Sequence, residues 1–226
     1  MIILSKRLET VASLVSPCDT AADVGTDHAY LASWLLQAGV VRHMLATDIH
    51  AGPLSRAKQT AQEQDLADKM EFFLCDGLRF PSANAAQAVI IAGMGGETMI
   101  SILDAASWAW KDTQLILQPQ SKQNDLFDWL RQHSIGLHAA KLCEDAGKLY
   151  LAVCASGNAD PAVSVESLLF AAHDAFFPAY LDTEISRRNR ALAGMQQSAR
   201  DTDAERAALR KEIEELEFYR KAVETW

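Results

Sequence analysis

A chain of 226 residues is long enough for one α/β domain of ordinary size with a small appendage. Its 49% hydrophobic and 23% charged residues exclude an extended disordered chain, and no apolar run approaches the roughly 18–20 residues of a membrane span. The formal net charge of −9 argues against a uniformly basic nucleic-acid surface, though not against a local basic patch.

The first residues, Met1-Ile2-Ile3-Leu4-Ser5-Lys6-Arg7, reach charge before the apolar stretch of a secretory signal could form. Residues 1–16 read as a helix, with Ser5 or its predecessors as cap and Leu4, Leu8, Val11 and Val15 on one face. Short apolar runs follow, at Thr20–Val24, Met44–Ile49, Glu71–Cys75, Ala88–Ala92 and Gln114–Gln118. Helical stretches separate them, around Ala29–Gln37, Pro53–Gln64, Glu97–Ala105 and Asp125–His133. This alternation predicts a parallel sheet covered by helices on both faces. Leu137–Glu144 and Leu149–Ala155 then flank Asp145-Ala146-Gly147, a hairpin turn signal. A mostly parallel, seven-stranded sheet finished by an antiparallel hairpin is the α/β architecture of Rossmann-like class I methyltransferases.

After Ser156-Gly157-Asn158 the composition shifts, which places a domain boundary between 1–157 and 158–226. Pro161 suits a first helical position with Asp160 as cap. Leu168, Ala172, Phe176, Leu181, Ile185, Leu192 and Met195 form a stripe that predicts one long helix. Thr202-Asp203-Ala204-Glu205 reads as a capping box for a second helix, with Leu209, Ile213, Leu216 and Tyr219 on its face. The two, joined by a turn at Arg200–Asp203, would make an antiparallel, coiled-coil-like helical hairpin. Four scattered cysteines, Cys18, Cys75, Cys143 and Cys154, contain no C-x-x-C pair. Free thiols in a cytoplasmic protein are expected, with no metal site.

The ends of the runs carry the chemistry. The first closes on Asp23-Val24-Gly25-Thr26-Asp27-His28-Ala29-Tyr30, where Gly25 allows a tight strand-to-helix turn. A dinucleotide site would place glycine where this chain has Asp27, and a carboxylate there would repel a pyrophosphate. S-adenosylmethionine has no phosphate but carries an ammonium and a sulfonium, which suit Asp23 and Asp27. Asp48 lies 23 residues after Gly25, near the spacing of the acidic residue that accepts from ribose hydroxyls. Asp76, at the third run's end before Gly77, is placed to accept from the cofactor's adenine amine; a plain Asp-Gly turn is the alternative. Gly93-Met94-Gly95-Gly96 signals close backbone approach by a ligand. The loop lacks the Asp/Asn-Pro-Pro-aromatic pattern that holds an exocyclic amine, which points to another nucleophile.

Together, Asp23-Val24-Gly25-Thr26-Asp27-His28-Ala29-Tyr30-Leu31, Gly93-Met94-Gly95-Gly96, Leu117-Gln118-Pro119-Gln120, Glu144-Asp145-Ala146-Gly147-Lys148-Leu149-Tyr150 and the N-terminal Leu4-Ser5-Lys6-Arg7-Leu8 resemble bacterial tRNA (adenine-N1)-methyltransferases of the TrmK type. The resemblance spans essentially the whole chain. It implies methylation of the adenine at tRNA position 22 with S-adenosyl-L-methionine. On it, the cofactor-binding set is Asp23, Gly25, Thr26, Asp48, Ile49, Asp76, Gly77, Gly93 and Met94. Adenine N1 is a nucleophile without deprotonation, so positioning dominates, and the base must leave its pairing to react. Asp27 is the candidate to stabilise the developing cationic product, and His28 a candidate proton relay. Tyr30 or Met94 could stack on the base, with Gly95 and Gly96 beside it.

A basic surface for tRNA is expected from Lys6 and Arg7, which fall outside the first helix's apolar stripe and should face solvent, and from Arg187, Arg188 and Arg190. Arg200, Arg206, Arg210 and Lys211 continue it, although neighbouring glutamates would serve equally as partners in a solvated helical face. Two other functions stay open at this point. One is methylation of a small molecule or protein with the hairpin used for dimerisation. The other is a nonenzymatic adaptor on the same fold. Oligomeric state, monomer or homodimer, is not legible.

Overall fold

Aliphatic runs become strands here because both faces of the sheet centre are covered, so the central runs Ala88–Ile91 and Leu115–Leu117 are apolar throughout rather than alternating. The computed structural model describes residues 2–106, 108, 110–196 and 203–226. Seven strands form one sheet: β1 (Cys18–Val24), β2 (Val41–Asp48), β3 (Met70–Leu74), β4 (Ala88–Gly95), β5 (Gln114–Ser121), β6 (Gly136–Asp145) and β7 (Lys148–Ser156). Their order is β3-β2-β1-β4-β5-β7-β6. The pairs β1/β2, β1/β4, β2/β3 and β4/β5 are parallel, and β7 runs antiparallel to both β5 and β6. Strand order reverses between β1 and β4, which opens a crevice at their carboxyl ends. The hairpin turn places Ala146 at φ 50° and Gly147 at φ 74°, with Asp145 opposite Lys148. Both central residues must take positive φ in this tight turn, so Ala146 bears a left-handed penalty of roughly 1–2 kcal/mol.

The connecting helices are α1 (Lys6–Ala12), α2 (Tyr30–Gln37), α3 (Ala51–Glu63), α4 (Gly96–Ala105) and α5 (Gln123–Gln132). α1 is shorter than the 1–16 predicted. The Ser5 hydroxyl caps it by accepting from the Leu8 N–H, and Pro17 disfavours helical backbone at Ser16. Its predicted stripe is otherwise realised, with Leu4, Val11 and Val15 buried. α2 starts at Tyr30 because Ala29 has left-handed backbone, φ 55°. The strand core is dry: Ile90, Ile91, Leu115, Ile116 and Leu117 have no exposed surface.

The chain divides between Val165 and Glu166 into two compact units. The predicted helix start at Asp160-Pro161 is not formed. The Asp160 carboxylate instead accepts from the Ala162 N–H at 2.9 Å, closing a local turn, and α6 begins later (Val165–Ala171). The single long helix that the stripe predicts is broken between α6 and α7 (Phe177–Gln196). His173, at φ 49°, ends α6, with the Asp174 N–H donating to the Leu169 carbonyl. Pro178 explains the break: it has no N–H, and in a continuous helix its ring would strike the Asp174 carbonyl. The break resets the helical phase, so Leu169, Phe177, Tyr180 and Leu181 are buried while Ala172 and Phe176 are exposed.

α8 (Asp203–Ala222) runs antiparallel to α7. Asp182 pairs with Arg220 at 2.7 Å and Arg188 with Glu212 at 2.8 Å, one number falling as the other rises. Ile213 and Leu216 are buried, and Leu209 and Tyr219 half-buried, on the predicted face. The expected turn at Arg200–Asp203 and the capping box beginning at Thr202 fall largely on 197–202, outside the described residues, as does Arg200. Among the described residues no helix is long and apolar enough to cross a membrane. None of their His, Cys, Asp and Glu side chains gather three together at a place fit for a metal ion. The four cysteines are free.

Candidate active site at the carboxyl edge of the sheet

Three strand ends converge at the crevice. After Val24 the chain turns sharply, and the N–H groups of Gly25 and Thr26 both donate to the Thr47 carbonyl, at 2.8 and 2.9 Å. Gly25 has φ 74°, and a Cβ there would lie 2.3 Å from Met94 Cε. Only glycine satisfies both the backbone and the space. Asp27 and Ala29 also have positive φ, 47° and 55°. A cluster of such residues in one turn is sterically costly and is typical of ligand sites.

Asp23 is buried beneath this turn, 5% exposed, and its Oδ2 accepts from the Thr26 hydroxyl at 2.7 Å. Burial pushes its carboxyl up to about 6; the Thr26 hydrogen bond opposes the rise and the neighbouring Asp48 adds to it. Asp48, at the end of β2, is 9% exposed, and its Oδ1 accepts from the His50 N–H at 2.8 Å. The β3 end is tied alongside: the Cys75 N–H donates to the Asp48 carbonyl at 3.1 Å, and the Thr47 hydroxyl donates to the Gly77 carbonyl at 3.0 Å. Ile49 and Leu74 stand 60% and 59% exposed beside these carboxylates. Asp76 is exposed and paired with Arg79 at 3.7 Å.

Across the crevice, β4 runs on to Gly95, beyond the predicted end at Ala92. Its register against β5 is irregular on both sides of Met94. Gly93 has φ 84°, and its N–H donates to Gln118 Oε1 at 3.1 Å. Gly95 caps α4, and Gly96 is buried where a Cβ would lie 2.2 Å from the Lys122 carbonyl oxygen. Close packing of α4 on the β5–α5 connection therefore demands glycine at 96.

Asp27, His28 and Tyr30 come together on the outer side of the β1 turn. Asp27 accepts from Arg56 at 3.1 Å, His28 Nε2 lies 3.8 Å from the same carboxylate oxygen, and the His28 ring stacks on Tyr30 with centroids 5.2 Å apart. Tyr30 is 46% exposed, so the stacked pair offers a flat aromatic surface to solvent.

The predicted basic set separates. Lys6 is exposed as expected. Arg7 is not: it is half-buried, donating through Nη1 to Gln118 Oε1 at 2.8 Å, with its guanidinium 5.9 Å from the Tyr150 ring centroid. Its own backbone N–H donates to Asp145 Oδ2 at 3.2 Å, which pulls the helix start onto the β6–β7 hairpin. In the second unit Arg188 is 9% exposed and gripped by Glu184 and Glu212. Burial opposes its charge, but hydrogen bonds to Glu212 and Glu184 outweigh that and raise its pKa. Arg187 pairs with Glu184 at 2.6 Å and keeps half its side chain exposed; Arg190 is exposed. Arg206 pairs with Asp203, Lys211 with Glu215 at 3.9 Å, and Arg210 is exposed.

Gln118 and Arg56 are the participants that sequence reasoning missed. The signal for Gln118 was an amide inside the otherwise aliphatic run Leu115-Ile116-Leu117, since a buried amide in a strand must find partners. For Arg56 no local signal exists, because its partner Asp27 lies on another element.

The rim fits S-adenosylmethionine. Two buried carboxylates favour a cationic ligand, Asp48 keeps its Oδ2 available for hydroxyls beyond the His50 contact, and Ile49 and Leu74 offer an apolar wall for a flat ring. Comparison with known proteins points the same way. A methyltransferase-domain family model matches residues 4–153. The tRNA (adenine(22)-N(1))-methyltransferase of Bacillus subtilis strain 168 is 33% identical over 167 residues, covering 73% of this chain and 70% of that protein. The crystal structure of the B. subtilis m1A22 tRNA methyltransferase TrmK superposes with a TM-score of 0.82 at 28% identity, over 97% of this chain and 100% of that one. A Streptococcus pneumoniae protein crystallised with S-adenosyl-L-methionine gives a TM-score of 0.79 at 28% identity, over 96% of this chain and 100% of that one.

Proposed function

The chain belongs to the bacterial tRNA (adenine-N1)-methyltransferase family of the TrmK type, and from that premise we propose that it methylates N1 of adenine 22 in tRNA with S-adenosyl-L-methionine. The observation that carries this is the crevice at the β1/β4 reversal, where a positive-φ glycine turn lies over a buried carboxylate pair, Asp23 and Asp48. When bound, S-adenosyl-L-methionine supplies an electrophilic methyl on a sulfonium.

The residues then divide the work. Asp48 accepts from the ribose hydroxyls, Ile49 covers the adenine ring, and Asp76 with Gly77 borders its amine. Asp23, Gly25, Thr26, Gly93 and Met94 shape the remainder of the pocket. N1 carries an in-plane lone pair, so no side chain has to remove a proton first, and orientation supplies most of the catalysis. The extruded base stacks on the His28–Tyr30 surface, the pair nearest to which a carboxylate, Asp27, can offset the positive charge that N1 acquires. Arg56 holds that carboxylate in place.

Exposed Lys6, Arg187 and Arg190 are assigned to tRNA phosphates, with the helical segment 158–226 serving the tRNA and 1–157 the chemistry. The substrate places the protein in the cytoplasm. Labelled methyl transfer to an unmodified tRNA transcript with adenine at position 22, beside one with guanine there, tests the proposal. Label only in the adenine transcript is expected, and equal label in both would overturn it.

A further inference from the structure

Arg7 sits where no tRNA contact was needed to place it. A guanidinium has only donors, and the Gly93 N–H is also a donor. The atom between them must accept from both, and Gln118 Oε1 does so, 2.8 Å from Arg7 Nη1 and 3.1 Å from Gly93 N. Gln118 has no exposed surface. The two ends of an amide have nearly the same shape, so a buried Gln can turn over at small steric cost. Turned over, it would set an N–H against the Gly93 N–H and leave a buried donor unsatisfied. Arg7 prevents this, because the same turn would also face an N–H toward a charged donor.

Arg7 is itself held from two further elements. Its N–H donates to Asp145 at the end of β6, and its guanidinium lies over Tyr150 of β7. Gly93 has no side chain and an irregular ladder, so its N–H bond to Gln118 does much to fix its position. The next residue, Met94, rests its Cε against Gly25, on the turn that shapes the cofactor site. A relay thus runs from α1 through a buried amide of β5 to the Gly93–Met94 loop and the Gly25 turn.

We propose that Arg7 is a positioning residue for the cofactor site, acting through the Gln118 amide on the Gly93–Met94 loop; this rests on the crevice binding S-adenosyl-L-methionine as proposed above. Arg7 then governs cofactor affinity rather than tRNA affinity.

The test uses the full chain with Arg7→Met, which keeps the stem and removes the donors, Gln118→Met, and the two combined. S-adenosyl-L-methionine affinity is measured by calorimetry, tRNA affinity by filter binding without cofactor, and folding by thermal melts. Each single variant is expected to lose about tenfold in cofactor affinity. The double variant should lose no more than about twofold beyond the worse single, because both act on one path. Affinity for tRNA should stay within about twofold. Should Arg7→Met not fold, Arg7→Lys replaces it, with an about threefold loss expected that disappears in the Gln118→Met background. Unchanged cofactor affinity in folded Arg7→Met, losses that multiply in the double variant, or lost tRNA affinity alone would each overturn the relay. A wild-type chain with no cofactor affinity would overturn the proposed function and the relay with it, an outcome distinct from wild-type binding with an indifferent Arg7 variant.

Discussion

Among the described residues, charge is buried in two places and treated in opposite ways. In the helical unit, Glu184 and Arg188 are both under a tenth exposed, and each is answered: Arg188 reaches Glu184 and Glu212, and Glu184 also receives Arg187. At the sheet rim, Asp23 and Asp48 are as deeply buried, yet they face each other as like charges. Among the described residues, Asp23 is answered by one hydroxyl, and Asp48 by one backbone N–H with the exposed His50 ring 3.6 Å away. A buried ion pair with matched partners holds two helices in register. Buried carboxylates left short of partners cost stability and create affinity for a cationic, hydroxyl-bearing ligand. The contrast separates structural charge from functional charge within one chain.

The largest effect is expected in the helical unit. Glu184→Ala leaves Arg188 buried with half its partners and should lower stability by about 3 kcal/mol in a denaturant titration. Cofactor affinity should be untouched; a loss there would break the contrast. Asp48→Asn should do the reverse. Its Oδ1 still accepts from the His50 N–H, so thermal melting should move little. S-adenosyl-L-methionine affinity should fall about 30- to 100-fold, because an amide nitrogen cannot accept from hydroxyls.

Asp23 sharpens the picture through pH. Its folded-state carboxyl sits at about 6 against an ordinary 3.8, so the folded chain holds that proton more tightly than the unfolded one. The contribution to stability is therefore fullest below pH 3.8 and is lost as pH rises through about 6. Asp23→Asn should then stabilise the protein at pH 8 by about 1–3 kcal/mol, a gain that fades on acidification toward pH 4. In the wild-type protein, cofactor affinity should weaken as pH drops through 6 and Asp23 takes up its proton. The smallest effect belongs to the surface. Arg190→Glu should reduce tRNA affinity about threefold at low salt and flatten its salt dependence by about one unit of slope. Arg188→Gln, by contrast, should show in melting rather than in tRNA binding.

What could be seen in the sequence follows the same division. The strands and the rim were legible because an apolar run ending in Asp-x-Gly or Gly-x-Gly-Gly is a local signal, and backbone geometry at Gly25 and Gly93 acts locally. The mostly parallel sheet followed from element spacing, and its closing hairpin from the turn signal at Asp145-Ala146-Gly147. The helical unit was less legible. The stripe through Leu168, Ala172 and Phe176 suggested one helix, but Pro178 outweighs periodicity, and the break at His173 moved burial onto Leu169 and Phe177. Arg7 was assigned to solvent because it falls outside the first helix's apolar stripe, and Arg188 was grouped with its basic neighbours as a tRNA-facing surface. Gln118 and Asp145, the partners of Arg7, lie 111 and 138 residues away; of the two partners of Arg188, Glu184 is the i,i+4 neighbour and Glu212 lies 24 residues away. No local pattern encodes the contacts of Arg7 or the Glu212 contact of Arg188; only the i,i+4 glutamate beside Arg188 was a neighbourhood signal.

As proposed, the crevice positions adenine N1, a nucleophile that needs no base, rather than an exocyclic amine. Chromatographic separation of the nucleosides of a position-22 adenine transcript against authentic standards, after incubation with the protein and S-adenosyl-L-methionine, distinguishes the two products, isomers of equal mass. The expected product is 1-methyladenosine, mapped to position 22 by a reverse-transcription stop. N6-methyladenosine, or a transcript left unmethylated by a chain that binds the cofactor, would contradict it.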